Sequence, residues 1–367
     1  MARSTRSKTP MSDARATLPS VFYIGSRALE PGGIPYVVAE IGINFNGDLP
    51  LAKQTIEAAA RAGADAVKFQ TFRAEEFMAD REMVYEYTSQ GRIVREPAYA
   101  MFKRLQLPAA WHAELQAHAR ACGVEFFSSA ADADAVRLLL ELQVPVLKIA
   151  SEDLINLPLL RGIAARRVPV ILSTGMADRD EIDQAVGILR DGGCPQLMLL
   201  HCVSLYPAPD EQVNLRRIAT LCELYGVPVG FSDHTVGCDA AVLAVALRAV
   251  LIEKHVTLDR TLPGPDHAFS SDPTELAELV RRVRKAAGQL GSSDLSPSSG
   301  ERAARQQFRR SVVAAAAIAQ DATITRPMLA LKRPGTGLAP RELERLIGRR
   351  ATRAFQPNEP LTWDGVA

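Results

Sequence analysis

The chain has 367 residues, 43 basic and 42 acidic side chains and a formal net charge of +1, which argues against a dedicated nucleic-acid binder with its usual basic excess. At 47% apolar and 23% charged residues the composition is that of a globular protein, neither disordered nor fibrous. The longest apolar runs, Ala240–Leu247 and Val312–Ala319, have eight residues each against about 20 for a membrane span, and five scattered cysteines without a Cys-x-x-Cys pair exclude a disulfide framework or zinc ribbon and point to a reducing, cytoplasmic setting.

Residues 1–20 carry Arg3, Arg6, Lys8 and Arg15 among Ser, Thr and Pro. They lack an apolar core, so they predict a disordered tail rather than a secretory signal. A small hairpin is expected over Phe22–Ile34, turning at Gly32-Gly33. From Tyr36 onward, β-rich runs alternate with helical stretches. The runs are Tyr36–Ile41, Ala66–Gln70, Glu125–Ser128, Val146–Ile149, Val170–Ser173, Leu197–His201, Val229–Ser232 and Leu251–His255. Helical content follows at Leu51–Ala62, Ala109–Ala121, Asp132–Leu142, Asp178–Leu189, Leu215–Tyr225, Asp239–Val250 and Pro273–Leu290. Such alternation builds right-handed βαβ units. Eight strands in about 250 residues predict a (β/α)8 TIM barrel over residues 21–290. The long insertion Arg73–Leu107 follows a strand and is expected to act as a lid. Gly, Ser and Pro crowd Gly288–Gly300, and residues 291–307 read as a linker. Beyond it, residues 308–367 lose the βαβ period and predict a small β-rich domain.

Barrel chemistry sits where the strands end. Here the ends deliver Glu40, Lys68 with Gln70, Ser128-Ser129, Lys148 with Ser151, Ser173-Thr174, His201 with Ser204 and Tyr206, Ser232-Asp233-His234, and His255. Two lysines with several hydroxyls around one mouth suit a phosphate and a carboxylate. The Ser173-Thr174-Gly175-Met176 turn, opening a helix at Asp178, is a candidate anion cradle. His234 and His255 end adjacent strands, about 4.8 Å apart, so they either converge on one divalent ion with open positions or are core histidines bonded to carbonyls. His112 and His118 are expected on a helix surface, and His267 in an exposed, stiff loop.

Several motifs occur in fixed order: Ala39-Glu40-Ile41-Gly42-Ile43-Asn44-Phe45-Asn46-Gly47, Val67-Lys68-Phe69-Gln70-Thr71, Lys148-Ile149-Ala150-Ser151, Leu172-Ser173-Thr174-Gly175-Met176, Phe231-Ser232-Asp233-His234-Thr235, Glu253-Lys254-His255 and Pro263-Gly264-Pro265-Asp266. Together they resemble the sialic acid (nonulosonic acid) synthase family from about Phe22 to the C-terminus. Arg310-Ser311-Val312-Val313-Ala314 and Lys332-Arg333-Pro334-Gly335-Thr336-Gly337 resemble the family's C-terminal antifreeze-like (SAF) domain.

The resemblance implies condensation of phosphoenolpyruvate with an N-acetylhexosamine-type aldose, giving a nine-carbon 2-keto-3-deoxy acid and phosphate. It implies that Lys68, Ser129, Lys148, Ser151, Ser173, Ser204 and Ser232 hold phosphoenolpyruvate. His234 and His255 would bind a divalent metal, Mn2+ with Mg2+ or Co2+ as alternatives. Glu40, Tyr206 and Asp266 would meet the sugar, and Glu40, Lys68 and Asp153 are the expected catalytic residues. Arg333 would reach the sugar's acyl group in the partner subunit of a domain-exchanged homodimer. Phe45 stands where the family usually has His, expected at the mouth, and Asp153 where it usually has Glu. Some members have Asn at Ser204. The acceptor remains open among N-acetylmannosamine, its 6-phosphate and a diacetamido-6-deoxy hexose. A Schiff-base aldolase on Lys68 or Lys148 and a non-catalytic sugar-binding protein are the competing readings; no nucleic acid or membrane is expected as partner.

Overall fold

Side chains alternate across a strand, and in this chain the two faces of each barrel strand feed two separate cores. The computed structural model describes residues 18–367; the expected tail lies, through residue 17, outside the described residues. A short antiparallel hairpin, β1 (Phe22–Ile24) and β2 (Arg27–Leu29), precedes β3 (Tyr36–Gly42) and β4 (Ala66–Thr71). A second hairpin, β5 (Val84–Ser89) with β6 (Arg92–Pro97), interrupts the series. It resumes with β7 (Glu125–Ala130), β8 (Leu147–Ile149), β9 (Val170–Ser173), β10 (Leu197–Cys202), β11 (Val229–Asp233) and β12 (Leu251–His255). The eight strands β3, β4 and β7–β12 pair in parallel, in chain order, and β12 closes on β3. The eightfold barrel read from the alternation is therefore the observed fold.

Inside the barrel, Tyr36, Val38, Ala66, Phe127, Val146, Ile171, Met198, Leu200 and Leu251 form one buried cluster. Phe22, Ile24 and Leu29 of the hairpin join it, so the hairpin plugs the end where the strands begin and leaves the other end for chemistry. Outward residues such as Val37, Ala39, Val67, Phe126, Leu172, Leu199 and Ile252 pack with the surrounding helices. Burying a side chain of this size contributes roughly 1.5–3 kcal/mol.

Three local expectations are corrected. The first hairpin turns at Gly25-Ser26, because Gly25 takes the left-handed φ of +58° that a two-residue turn needs; Gly32-Gly33 lies in the following connection. A helix, Leu157–Ala164, follows β8 where none was read. Its start is marked by the Asn156 side chain, which accepts from the Leu159 N–H, and by Pro158 in the first turn. The stretch read as linker contains the helix Ser299–Phe308, started by a reciprocal cap between Ser298 and Glu301.

The insertion after β4 forms a short helix, Ala74–Phe77, the β5–β6 hairpin and a helix, Ala98–Leu105. Phe102 packs edge to face against both Phe72 and Phe77 beneath it. Its tip is tied to the loop after β12: Gln90 donates to the Thr261 carbonyl at 2.9 Å, and the Gly264 N–H donates to Ser89 Oγ at 3.1 Å.

The chain divides into two units, residues 1–291 and 292–367. The second has its own core of Val312, Ile318, Ile324, Leu329, Leu346, Phe355 and Leu361 around β13 (Ser311–Ala314) paired with β14 (Leu329–Lys332). Among the described residues no helix is long and apolar enough to cross a membrane.

Candidate active site

Above the apolar cluster, the inward alternation continues with polar residues: Glu40 on β3, Lys68 and Gln70 on β4, Ser129 on β7 and Lys148 on β8. It goes on with Ser173 on β9, Cys202 on β10, Ser232 on β11, and Glu253 and His255 on β12. Lys68 is 3% and Lys148 2% exposed, so each ammonium needs a counter-charge. Lys68 Nζ lies 3.0 Å from Glu40 Oε2 and 3.7 Å from Glu253 Oε2; Lys148 Nζ lies 3.8 Å from Glu253 Oε1. Gln70 donates to Glu40 at 2.9 Å and Ser232 to Glu253 at 2.8 Å. Burial works against the charge of Lys68, but the carboxylates of Glu253 and Glu40 outweigh it and hold the lysine above its usual range. Burial dominates at Lys148 and holds it below that range.

Glu253 is the functional-site candidate that strand-end reading passed over. It stood in the quoted Glu-Lys-His motif, two residues before His255 and on the same face, and that period-two spacing was the available signal. The intervening Lys254 faces the other way, donating to Asp233 Oδ2 at 2.9 Å in a buried ion pair.

The serines gather where Gly175 leaves room. A Cβ at Gly175 would collide with Ser204 Oγ and come within 2.7 Å of Cys202 Sγ and Ser151 Oγ. Ser151 Oγ accepts the Gly175 N–H at 3.1 Å. Ser173 Oγ is buried without a partner, so its hydroxyl is free for a ligand. The following helix, Arg179–Asp191, is already capped by Asp178, so the candidate cradle is the Gly175 gap rather than a helix end.

His234 and His255 meet with ring centroids 5.4 Å apart. His234 donates Nδ1–H to the Val203 carbonyl at 2.6 Å, which leaves Nε2 as acceptor. His255 Nδ1 is buried without a hydrogen-bond partner, 3.6 Å from Asp266 Oδ2. Burial pushes His234 down to about 4 and His255 well below its usual value. Both rings are thus neutral, with a lone pair available, as metal ligands must be. The pair fits two sites of a divalent ion's shell; among the described residues no group of three or more His, Cys, Asp or Glu is assembled for one.

Tyr206 stacks against His234 at 4.3 Å and Phe269 at 5.3 Å. Asp266, in the loop after β12, is pushed up to about 7 by burial and by the charge of Glu40. Asp153 stands apart from the lysines. Its raised value, about 7, comes from burial, then from Glu152 and Asp132, and its Oδ2 has no partner.

Other expectations change in three dimensions. His201 points outward, bonded to the Val213 carbonyl at 2.7 Å and stacked on Phe231. His112 is fully buried, bonded to Thr71 Oγ1 at 2.8 Å. His267 is buried with Nδ1 on Thr257 at 2.7 Å. Phe45 is not at the mouth: it lies in the outer core against Phe69 and Trp111. A helix-facing position takes a phenyl ring without an unpaired polar atom, so its exchange for imidazole is a packing change.

In the C-terminal unit Arg333 is exposed, its guanidinium over the Phe308 ring at 5.6 Å. Its loop is tied by Ser311, which donates to the Pro334 carbonyl at 2.7 Å and accepts the Gly337 N–H at 2.8 Å. Gly337 is required there, since a Cβ would lie 2.8 Å from the Leu361 carbonyl.

Comparison with known proteins follows the same division. The profile of the NeuB family matches residues 55–294, and that of the SAF domain residues 309–367. An uncharacterized protein, MJ1065, of Methanocaldococcus jannaschii is 39% identical, over 94% of this chain and 98% of its own. The N,N'-diacetyllegionaminic acid synthase of Legionella pneumophila is also 39% identical, over 90% and 94%. The crystal structure of an N-acetylneuraminic acid (sialic acid) synthetase from Leptospira borgpetersenii, in complex with citrate, is 35% identical. It superposes with a TM-score of 0.71 over 78% of this chain and 95% of that one.

Proposed function

The chain belongs to the NeuB family, and we propose that it condenses phosphoenolpyruvate with an amino-sugar aldose to give a nine-carbon 2-keto-3-deoxy acid and phosphate. The observation that carries this reading is the pair of buried ammoniums, Lys68 and Lys148, in a lumen with buried Ser129, Ser173 and Ser232 and with Ser151 and Ser204 at the Gly175 gap. Relatives are named as synthases of diacetyllegionaminic and N-acetylneuraminic acids, which supports the same reaction class.

The methylene carbon of phosphoenolpyruvate attacks the acceptor's aldehyde carbon, whose oxygen takes up a proton to become a hydroxyl, and the oxygen-bearing carbon is left as an oxocarbenium-like centre. Water adds to that centre with loss of a proton, and phosphate then leaves with the bridging oxygen, so that the centre becomes the 2-keto carbon. Lys68 and Lys148 hold the phosphate and carboxylate through these steps, as charge-assisted donors preorganised in a dry site. The free Ser173 hydroxyl adds a donor. Glu40 and Asp266 meet the acceptor's hydroxyls, and Tyr206 covers the histidines. Glu40, Lys68 and Asp153 are the proposed catalytic set, Asp153 having Glu152 and Asp132 as its charged neighbours. His234 and His255 would hold a divalent ion, manganese in this proposal, and such an ion supplies Lewis acidity at the acceptor carbonyl.

The protein works as a homodimer in this reading, with exposed Arg333 completing the partner's sugar site as a planar donor to the acyl oxygen. Its place is the cytoplasm, where the five free cysteines stay reduced. The test is phosphate release from phosphoenolpyruvate with a panel of candidate hexoses, followed by the mass of each product. Release with none of them overturns the reading. Borohydride trapping separates the Schiff-base alternative, because only an imine leaves a reduced adduct on lysine.

A further inference from the structure

The buried charges of the lumen balance in an unexpected way. Lys68 and Lys148 bring two positive charges, and Glu40 and Glu253 bring two negative ones, all at most 4% exposed. Glu40 is bonded directly to Lys68 at 3.0 Å and to Gln70. Glu253 is placed differently. Its two oxygens lie 3.7 and 3.8 Å from the two lysines, too far for a short charge-assisted bond to either. Its close partner is Ser232, which donates to Oε1 at 2.8 Å. Among the described residues, Glu253 is also the only carboxylate in an ion pair with Lys148.

A carboxylate in that position does two things. It compensates the ammoniums in the empty barrel, where two uncompensated buried cations would be strongly disfavoured. It also repels any anion that enters between the same two lysines, while leaving their N–H groups uncommitted. We propose that Glu253 is a built-in counter-anion of the phosphate pocket, a positioning residue that keeps Lys68 and Lys148 ready and weakens their hold on phosphate so that it is released. The inference rests on the reading of this pocket as the phosphoenolpyruvate site. It assigns Glu253 a role through the lysines rather than contact with the reacting atoms.

The experiment is calorimetric titration of inorganic phosphate into the full-length protein at pH 7 without added divalent metal, for wild type, Glu253→Gln and Glu253→Asp. The glutamine keeps an acceptor for Ser232 and removes the charge. It should bind phosphate about tenfold or more tightly, as expected for removing a like charge a few ångströms away at low effective dielectric, while the aspartate stays near wild type. Structural damage does not tighten a ligand, so the sign separates the proposed role from loss of packing. Circular dichroism confirms that each variant is folded. Phosphate affinity that is unchanged or weaker in folded Glu253→Gln overturns the inference and leaves the pocket assignment standing. Absence of phosphate binding to wild type and to both folded variants overturns both.

Discussion

His234 gives its Nδ1 proton to the carbonyl oxygen of Val203 at 2.6 Å, and this one bond leaves Nε2 as the ring's acceptor, with Ser232 Oγ 3.4 Å away. A ring nitrogen committed to a backbone carbonyl fixes the tautomer of the other. The two imidazoles, contributed by β11's end and by β12, therefore form a pair with ring centroids 5.4 Å apart, in which His255 Nδ1 is without a partner.

That pair predicts metal dependence. His234→Ala and His255→Ala should each weaken Mn2+ binding by more than the roughly 10–100-fold that loss of a supporting partner costs, with the melting temperature little changed. Direct titration with Mn2+ checks it, and turnover should stop in chelator and return with manganese. A His234→Ala protein that binds Mn2+ like wild type removes the assignment.

Lys68→Met or Lys148→Met should lower kcat/KM for phosphoenolpyruvate by roughly 2–5 kcal/mol, the range for truncating one member of a desolvated charge pair. Part of that loss belongs to the stranded carboxylates, Glu40 for Lys68 and Glu253 for either. Steady-state kinetics with phosphoenolpyruvate varied decides the matter; an unchanged value would place the anion elsewhere.

Asp153 predicts a pH-dependent stability. Its pKa is about 7 in the folded chain, from a usual 3.8, so the folded state binds this proton more tightly than the unfolded state does. Stability contributed by the protonated form is present at low pH and is lost as pH rises from about 4 to about 7. Asp153→Asn should then raise stability at pH 8, by up to ~4 kcal/mol for a shift of this size, with the gain vanishing toward pH 4. Denaturant melts at the two pH values measure it, and a gain equal at both would refute the electrostatic account.

Arg333 predicts complementation between subunits. Lys68→Met and Arg333→Ala homodimers should both be impaired. In a mixed dimer, one barrel has intact Lys68 from one chain and receives intact Arg333 from the other, so co-expression should restore activity. Heterodimers isolated with two different tags and showing no recovery would place the arginine in cis or outside the reaction.

Local pattern was enough to read the barrel from this sequence. Short β-rich runs between helical stretches mark each βαβ unit without reference to any other, and all eight strands lie within two residues of where those runs put them. The polar residues at the ends of the runs mark the barrel mouth, and so brought Lys68, Lys148, Ser173, Ser232 and His255 into view. Signals overlaid by stronger ones were lost: Asn156 capping a proline-containing apolar stretch, and Ser298 capping a helix inside a Gly/Ser/Pro run. What only closure of the barrel decided is which inner residues meet. The shear between strands brings Glu253 of β12 between Lys68 of β4 and Lys148 of β8, and it sets His234 against a carbonyl of the preceding loop. These are contacts between residues 31 to 185 positions apart along the chain, and their existence depends on the register of every intervening pair of strands. No spacing within a single unit carries that information.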